Sequence, residues 1–438
     1  MTFLIPTSVW RQILKKLPIL LFLASFLIVL LLGYFSAAFS QSRDPDIRGV
    51  WITTNDTAML MDRDKRQQAI EQLVNLNFNA IYPVVWNSGY ALYPSAIAQR
   101  EGIQPFVPTG AQGQDILAEL VEQTRGRGLL VIPWFEFGFM APPTSELALK
   151  HQDWLTQKRD GGTTWVGAAG EVVWLNPFRP EVQNFLRELV LEVVGQYDIN
   201  GIQFDDHLSL PNEFGYDPYT IALYQQETEK TPPANPRDPE WTKWRADKIT
   251  AFLANLKESI EAIKPNILLS IAPNPYEFAY NGHLQDWLGW VRQGLVDELI
   301  VQVYRPDLPS FLKQIERPEI QETQQTIPTG VGVLTGLRNR PIALPFIEEK
   351  VLAARQRGLG VIFFFYESLW QQALEPPETR KAAIQAMFSQ PITPRLPVVE
   401  NIPLVSTPEP IYQPEPTPTP PPLAPDGIEI PVIPPPGS

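Results

Sequence analysis

Between residues 44 and 390 the chain repeats one pattern eight times, a short apolar, β-branched run followed by a stretch of helical periodicity. The runs are Ile47–Thr53, Ala80–Trp86, Leu129–Phe135, Ile199–Asp205, Ile267–Ala272, Glu298–Tyr304, Thr329–Leu334 and Gly360–Tyr366. Continuous apolar runs of this length suit strands buried on both faces, as in a parallel sheet covered by helices. In one intervening segment Val182, Phe185, Leu186, Leu189, Val190 and Val193 recur at helical spacing, so they share one stripe. Ile249, Phe252, Leu253, Leu256, Ile260 and Ile263 form a second stripe, and Gly126, Gly128 and Gly358 mark helix ends. Eight strict alternations predict an α/β fold, a single (β/α)8 TIM barrel. A doubly wound open sheet is the alternative. Against it, the first strand runs into ITTNDT, with no glycine-rich turn to cradle a phosphate.

The two ends fall outside this pattern. Residues 1–43 carry Arg11, Lys15 and Lys16 ahead of LPILLFLASFLIVLLL, the layout of an export signal. Ala38-Phe39-Ser40 offers a small-residue cleavage site. The apolar stretch 17–35 is also long enough to remain as a membrane anchor. Either outcome places the body outside the cytoplasmic membrane, in the periplasm or cell envelope, because the leading basic residues stay on the cytoplasmic side. Residues 391–438 contain 17 prolines. Proline has no N–H and a fixed φ, so this tail is expected to be an extended, disordered stalk or linker and not part of a core.

Three domains of activity are excluded or weakened by residue usage. The chain has no cysteine, which removes disulfides, thiolate nucleophiles and thiolate metal sites. Three histidines, His151, His207 and His283, do not supply a histidine-rich zinc site, and no cofactor or metal is expected. The net charge is −13 for the whole chain and the same for residues 44–390, a balance that repels a phosphate backbone and argues against nucleic-acid binding.

Positive chemical signals lie at the strand ends. Gly201-Ile202-Gln203-Phe204-Asp205-Asp206 is a strand that runs into two adjacent acids. Side chains alternate along a strand, so if Gln203 points into the barrel, Asp205 rises at its mouth. Glu136 follows the third strand and Glu367 the eighth, at the same rim. The long connections 137–179 and 206–240 would wall that rim, because βα loops lie at the C-terminal face where barrel active sites sit. Carboxylates from different strands over one cavity are what glycoside hydrolysis needs, one to protonate the leaving oxygen and one to attack or to activate water. Trp86, Trp134, Trp174, Tyr304 and Trp370 could pack against sugar rings. Gln203, Asn274 and Gln302 would supply neutral hydrogen-bonding groups.

These residues resemble the glycosyl-hydrolase-like-10 family, exported bacterial proteins related to glycoside hydrolases. The resemblance runs from about Asp46 to Trp370. It rests on Arg48-Gly49-Val50-Trp51, Pro133-Trp134-Phe135-Glu136, Trp174-Leu175-Asn176-Pro177, Tyr197–Asp206 and Val301-Gln302-Val303-Tyr304. It implies a TIM barrel that cleaves glycosidic bonds, with peptidoglycan glycan strands as the substrate class and Asp205 and Asp206 on the presumed catalytic strand. The chain has Asn200 where the family often has Asp, and it cannot be lipidated on cysteine as many relatives are. Family-18 chitinases place their acid glutamate where this chain has His207, so that form of substrate-assisted cleavage is disfavoured.

The resulting expectation is an exported glycoside hydrolase acting on a cell-envelope polysaccharide. Asp205 would be nucleophile or base, Asp206 its partner, and Glu367 or Glu136 the general acid. The rival is a non-catalytic carbohydrate-binding barrel that scaffolds envelope complexes. A metal-dependent deacetylase is a third reading, hinted at by His207 beside the two acids.

Overall fold

A computed structural model describes residues 46–104, 114–167, 170–337, 340–371 and 373–389. The expected signal or anchor segment and the proline-rich tail lie outside these residues. Among the described residues no helix is long and apolar enough to cross a membrane.

Eight parallel strands close on themselves. They are β1 (Arg48–Ile52), β2 (Ala80–Asn87), β3 (Leu130–Val131 and Trp134–Phe135), β4 (Gly201–Asp205), β5 (Leu268–Ala272), β6 (Glu298–Gln302), β7 (Thr329–Leu334) and β8 (Gly360–Phe364). Closure is made by β1, which pairs with β2 at Gly49–Ala80 and with β8 at Val50–Phe363. All eight predicted strands are present, so the fold is a (β/α)8 barrel and not an open sheet. Strand β3 is interrupted at Ile132 and Pro133. Pro133 has no N–H to donate to a ladder, and its carbonyl instead accepts from Gln203 N at 2.9 Å.

The principal outer helices are α1 (Arg63–Asn75), α2 (Ile116–Thr124), α3 (Pro180–Gln196), α4 (Pro239–Ile263), α5 (Trp287–Arg292), α6 (Pro318–Gln324), α7 (Leu344–Arg355) and α8 (Pro377–Met387). Helix α3 buries the predicted stripe, and Val194 with it. Each fully buried Val, Leu or Phe there contributes roughly 1.5–3 kcal/mol relative to exposure. Helix α4 starts at Pro239 behind Asp238, whose side chain accepts from Trp241 N. Its stripe is buried through Ile260, but Ile263 is 45% exposed, because the helix ends there and leaves the barrel wall.

The long connection between β4 and α4 is part of the same body. It contains a helix at Pro218–Thr228 and is stitched down by Arg245 of α4. The buried guanidinium donates to the carbonyls of Asn212, Phe214 and Pro236, each at 2.6 Å. Tyr216, Tyr224 and Trp241 pack into a small core beneath it.

The barrel interior is partly polar. Trp51 Nε1 donates to Gln203 Oε1 (2.7 Å), Gln203 Nε2 to Ser270 Oγ (3.0 Å), and Ser270 Oγ to Glu298 Oε1 (2.8 Å). Tyr82 OH donates to the same glutamate oxygen at 2.9 Å. Five strands are thereby linked side chain to side chain, with Trp134, Ile132, Ile300 and Ile362 filling the space around the chain of bonds.

Candidate active site

Alternation along β4 works as the sequence predicts. Gln203 points into the barrel, and two residues later Asp205 stands at the C-terminal mouth. Its Oδ1 accepts from His207 N (2.9 Å) and lies 3.0 Å from His207 Nδ1. The same Nδ1 is 2.7 Å from the carbonyl oxygen of Glu136, which follows β3. Both neighbours are acceptors, so Nδ1 carries the hydrogen and donates to both.

The chain turns after Asp205, and this swings Asp206 toward the ends of the next two strands. Its carboxylate accepts from Asn274 Nδ2 (2.8 Å), just beyond β5, and from Gln302 Nε2 (3.0 Å), the last residue of β6. The Asp205 side chain is 4% exposed and that of Asp206 23%, so Asp206 is the member of the pair that meets solvent. Glu136 is buried, and Asn87 at the end of β2 donates to its Oε2. Gly138 allows this close packing of the two loops. Its φ is +43°, and a Cβ there would collide with the carbonyl of His207.

The acidities separate. Burial pushes Glu136 up to about 8, reinforced by the negative Asp205 and opposed by the bond from Asn87 and by His207. Burial raises Asp205 to about 6, against the pull of His207. Burial alone would discharge His207, but Asp205 and Asp206 outweigh it and hold the imidazolium up to about 10. Tyr304 stays a neutral phenol, because burial and the three acids all disfavour its anion.

Other predicted residues fall in different places. Tyr304 sits at the mouth against Phe364, ring centres 5.5 Å apart, and Trp134 lies below, against Trp51 and Phe364. Trp174 is buried in a three-stranded antiparallel sheet made by Met140–Ala141, Thr164–Gly167 and Gly170–Trp174, with its ring 6.1 Å from His207. Trp86 is not at the mouth. A bulge in β2 between Val84 and Trp86 turns it outward onto Phe185 of α3. Gln203 is wholly buried in the interior chain of bonds and has no face toward the mouth surface.

Glu367 belongs to a different bonding neighbourhood from the other acids. It lies in the first turn of a short helix, Tyr366–Trp370, and its N–H donates to Asp56 Oδ1 at 2.7 Å. Trp370, in the same helix, packs on Tyr366. Among the described residues no hydrogen bond or ion pair joins Glu367 to Asp205, Asp206 or Glu136. Asp56, beyond β1, is pushed up to about 7 by burial.

Sequence reasoning gave His207 no role beside the acids except as a hint of metal binding, and it passed over Asn87 and Asp56. One ligand atom from each of Asp205, Asp206 and His207 lies within 4.8 Å of the others. Within this group His207 pairs with Asp205 through Nδ1, and the amides of Asn274 and Gln302 hold Asp206.

The barrel resembles the glycoside hydrolase domain of PgaB (BpsB) from Bordetella bronchiseptica, with a TM-score of 0.57 at 14% identity over 75% of this chain and 99% of that one. It also resembles the catalytic domain of β-amylase from Paenibacillus polymyxa, with a TM-score of 0.54 at 10% identity over 79% of this chain and 99% of that one. At such identities these likenesses show the fold alone. In sequence the chain is 25% identical over 300 residues to "Glycosyl hydrolase DigH" of Escherichia coli K12, covering 63% of this chain and 65% of that protein. It is 24% identical over 308 residues to "Glycosyl hydrolase YngK" of Bacillus subtilis, covering 64% and 59%. The matched region thus spans less than two thirds of either relative. The sequence model of the Glycosyl hydrolase-like 10 family matches residues 46–354, which hold the strand-end acids Glu136, Asp205 and Asp206, and the chain belongs to that family.

Proposed function

We propose that this protein is an exported glycoside hydrolase that cleaves a cell-envelope polysaccharide, with peptidoglycan glycan strands as its substrate. One observation carries the catalytic part. Three linked acids share the barrel mouth with their acidities pushed apart, Asp205 to about 6 and Glu136 to about 8. At neutral pH that is one protonated acid beside an ionised carboxylate, the division of labour that glycoside hydrolysis requires.

In this reading Glu136 protonates the leaving oxygen. The Asp205–Asp206 pair supplies the opposing carboxylate. Asp206, the more exposed, meets the sugar and is aimed by Asn274 and Gln302, while Asp205 is held ionised by His207. Glu367, sequestered with Asp56, is the weaker candidate for the acid. The envelope substrate and the export route rest on the basic, apolar N-terminal segment and on the family resemblance. The stretch 17–35 would anchor the barrel if it is not removed.

Purified protein incubated with peptidoglycan, denuded glycan strands and chitin oligomers, with products identified by mass, tests the proposal. Release of glycan fragments supports it. Binding without cleavage, in the parent and in an Asp206→Asn variant alike, would establish the non-catalytic scaffold instead.

A further inference from the structure

The antiparallel sheet beside the mouth carries a line of aromatic residues away from the acids. Trp165 pairs across the sheet with Val172, and Val172 and Trp174 lie two residues apart on one strand. Trp165 and Trp174 therefore share a face. Val166 is on the opposite face and is largely exposed. The Trp165 ring lies over Gly167, where any Cβ would collide with it.

His283 sits in front of that face. Its ring centre is 6.5 Å from Trp174, 6.0 Å from Trp165 and 5.0 Å from Phe278. Phe278 is 47% exposed, so it is a large apolar ring left in water next to a candidate active site. His283 Nδ1 is buried and has no hydrogen-bond partner among the described residues. An unmet buried polar atom costs stability unless something else satisfies it, and a bound ligand can do so. Burial also lowers His283 to about 4, so the ring is neutral and can both donate and accept. Asp206, whose charge acts on this ring, connects the cluster to the acids.

The placement is rigid. The carbonyl of His283 accepts from Leu210 N at 3.0 Å, and that of Gly282 from Asn212 N at 2.9 Å, both from the loop after β4. Gln285 Nε2 donates to the carbonyls of Asp205 (2.8 Å) and Leu208 (3.4 Å). The helix Tyr276–His283 is thus fixed to the same backbone that presents Asp205 and Asp206.

We propose that Trp165, Phe278 and His283 form a sugar-binding subsite beside the acids, which holds the neutral pyranose unit adjoining the one at the cleaved bond. This rests on the glycosidase reading above. The two aromatic rings present apolar surface to the C–H face of the sugar, and His283 meets one of its hydroxyls. Asp206 and Glu213 both bear on His283, so an anionic sugar is disfavoured there.

The test is calorimetric binding of chitin oligomers and denuded glycan-strand fragments of increasing length to the full chain and to Phe278→Ala and His283→Gln variants. Phe278 is exposed, so its truncation leaves the core intact. The parent should bind longer fragments more tightly. In both variants the gain from the added ring should shrink roughly tenfold, with binding of the shortest fragment unchanged. If the parent shows the length dependence and both variants reproduce it, the subsite is wrong and the glycosidase reading stands. If the parent binds no glycan at all, that reading falls and the subsite falls with it.

Discussion

His207 donates one hydrogen to two strands at once, to Asp205 Oδ1 at 3.0 Å and to the carbonyl of Glu136 at 2.7 Å. It fixes the spacing of β3 and β4 at the mouth and supplies the positive charge for the acid pair. Asp205→Asn keeps the shape and removes the charge. Turnover on a glycan that the parent cleaves should fall by about 10²–10⁴-fold. The His207 resonance, which should titrate only near 10 in the parent, should titrate at lower pH in the variant, as NMR can follow. Unchanged turnover together with unchanged His207 titration would refute the pairing.

The pH profile of kcat/KM should be bell-shaped, rising through about 6 as Asp205 ionises and falling through about 8 as Glu136 loses its proton. The two limbs belong to the coupled cluster and not to either residue alone. Stability should run differently. Both acids have folded pKa values above their ordinary 3.8 and 4.5, so the native state holds protons that the unfolded chain releases. Their stabilising contribution is complete below those ordinary values and is lost as pH rises through 6 and then 8. Thermal melts from acid to alkaline pH should show Tm falling across the range in which activity peaks, and Glu136→Gln should flatten the alkaline part of both curves.

Glu136→Gln and Glu367→Gln should behave differently, although both residues follow barrel strands. Loss of Glu136 should reduce turnover by about 10²–10⁴-fold, and substrates whose leaving groups depart unprotonated should recover much of it. Glu367→Gln should leave the response to leaving group unchanged, because among the described residues no hydrogen bond or ion pair joins its carboxyl to the other acids, and its bond to Asp56 comes from the backbone N–H. Steady-state kinetics on a series of aryl glycosides decides between them. The assignment of the acid is reversed if Glu367→Gln is the variant rescued.

Gln203→Leu should act on stability. It leaves Trp51 Nε1 unsatisfied inside the barrel, while Ser270 Oγ keeps its bond to Glu298. Each buried group left unsatisfied costs about 1–3 kcal/mol, and urea unfolding should show the midpoint moved accordingly. A rise in KM without loss of stability would make Gln203 a sugar ligand after all.

Much of this molecule is legible in its sequence, and the places where it is not have physical causes. The eight strands are readable because parallel strands buried on both faces must be continuously apolar. Asp205 is readable because Gln203, two positions earlier, is committed to the interior. Trp86 misleads because a bulge in β2 adds a residue and reverses which side faces in. The setting of Glu367 is not readable from strand alternation, because Tyr366 already begins a helix, where that alternation no longer applies. The contact of Trp174 with His207 depends on a sheet folded back from the loop after β3, and nothing in local pattern reports such a long-range approach. The role of His207 emerges only when the carbonyl of Glu136, 71 residues earlier, is seen against its ring.

Gln285 joins the carbonyls of Asp205 and Leu208 to the end of the helix that carries Phe278 and His283. The two walls of the mouth are consequently one unit of local unfolding, since neither can open without breaking the bonds that hold the other. Amide hydrogens of Leu210 and Asn212, which bond to that helix, should therefore exchange with solvent in step with those of Leu284 and Gln285, which close its C-terminal end. Among the described residues, this side of the mouth is built to open as a single piece.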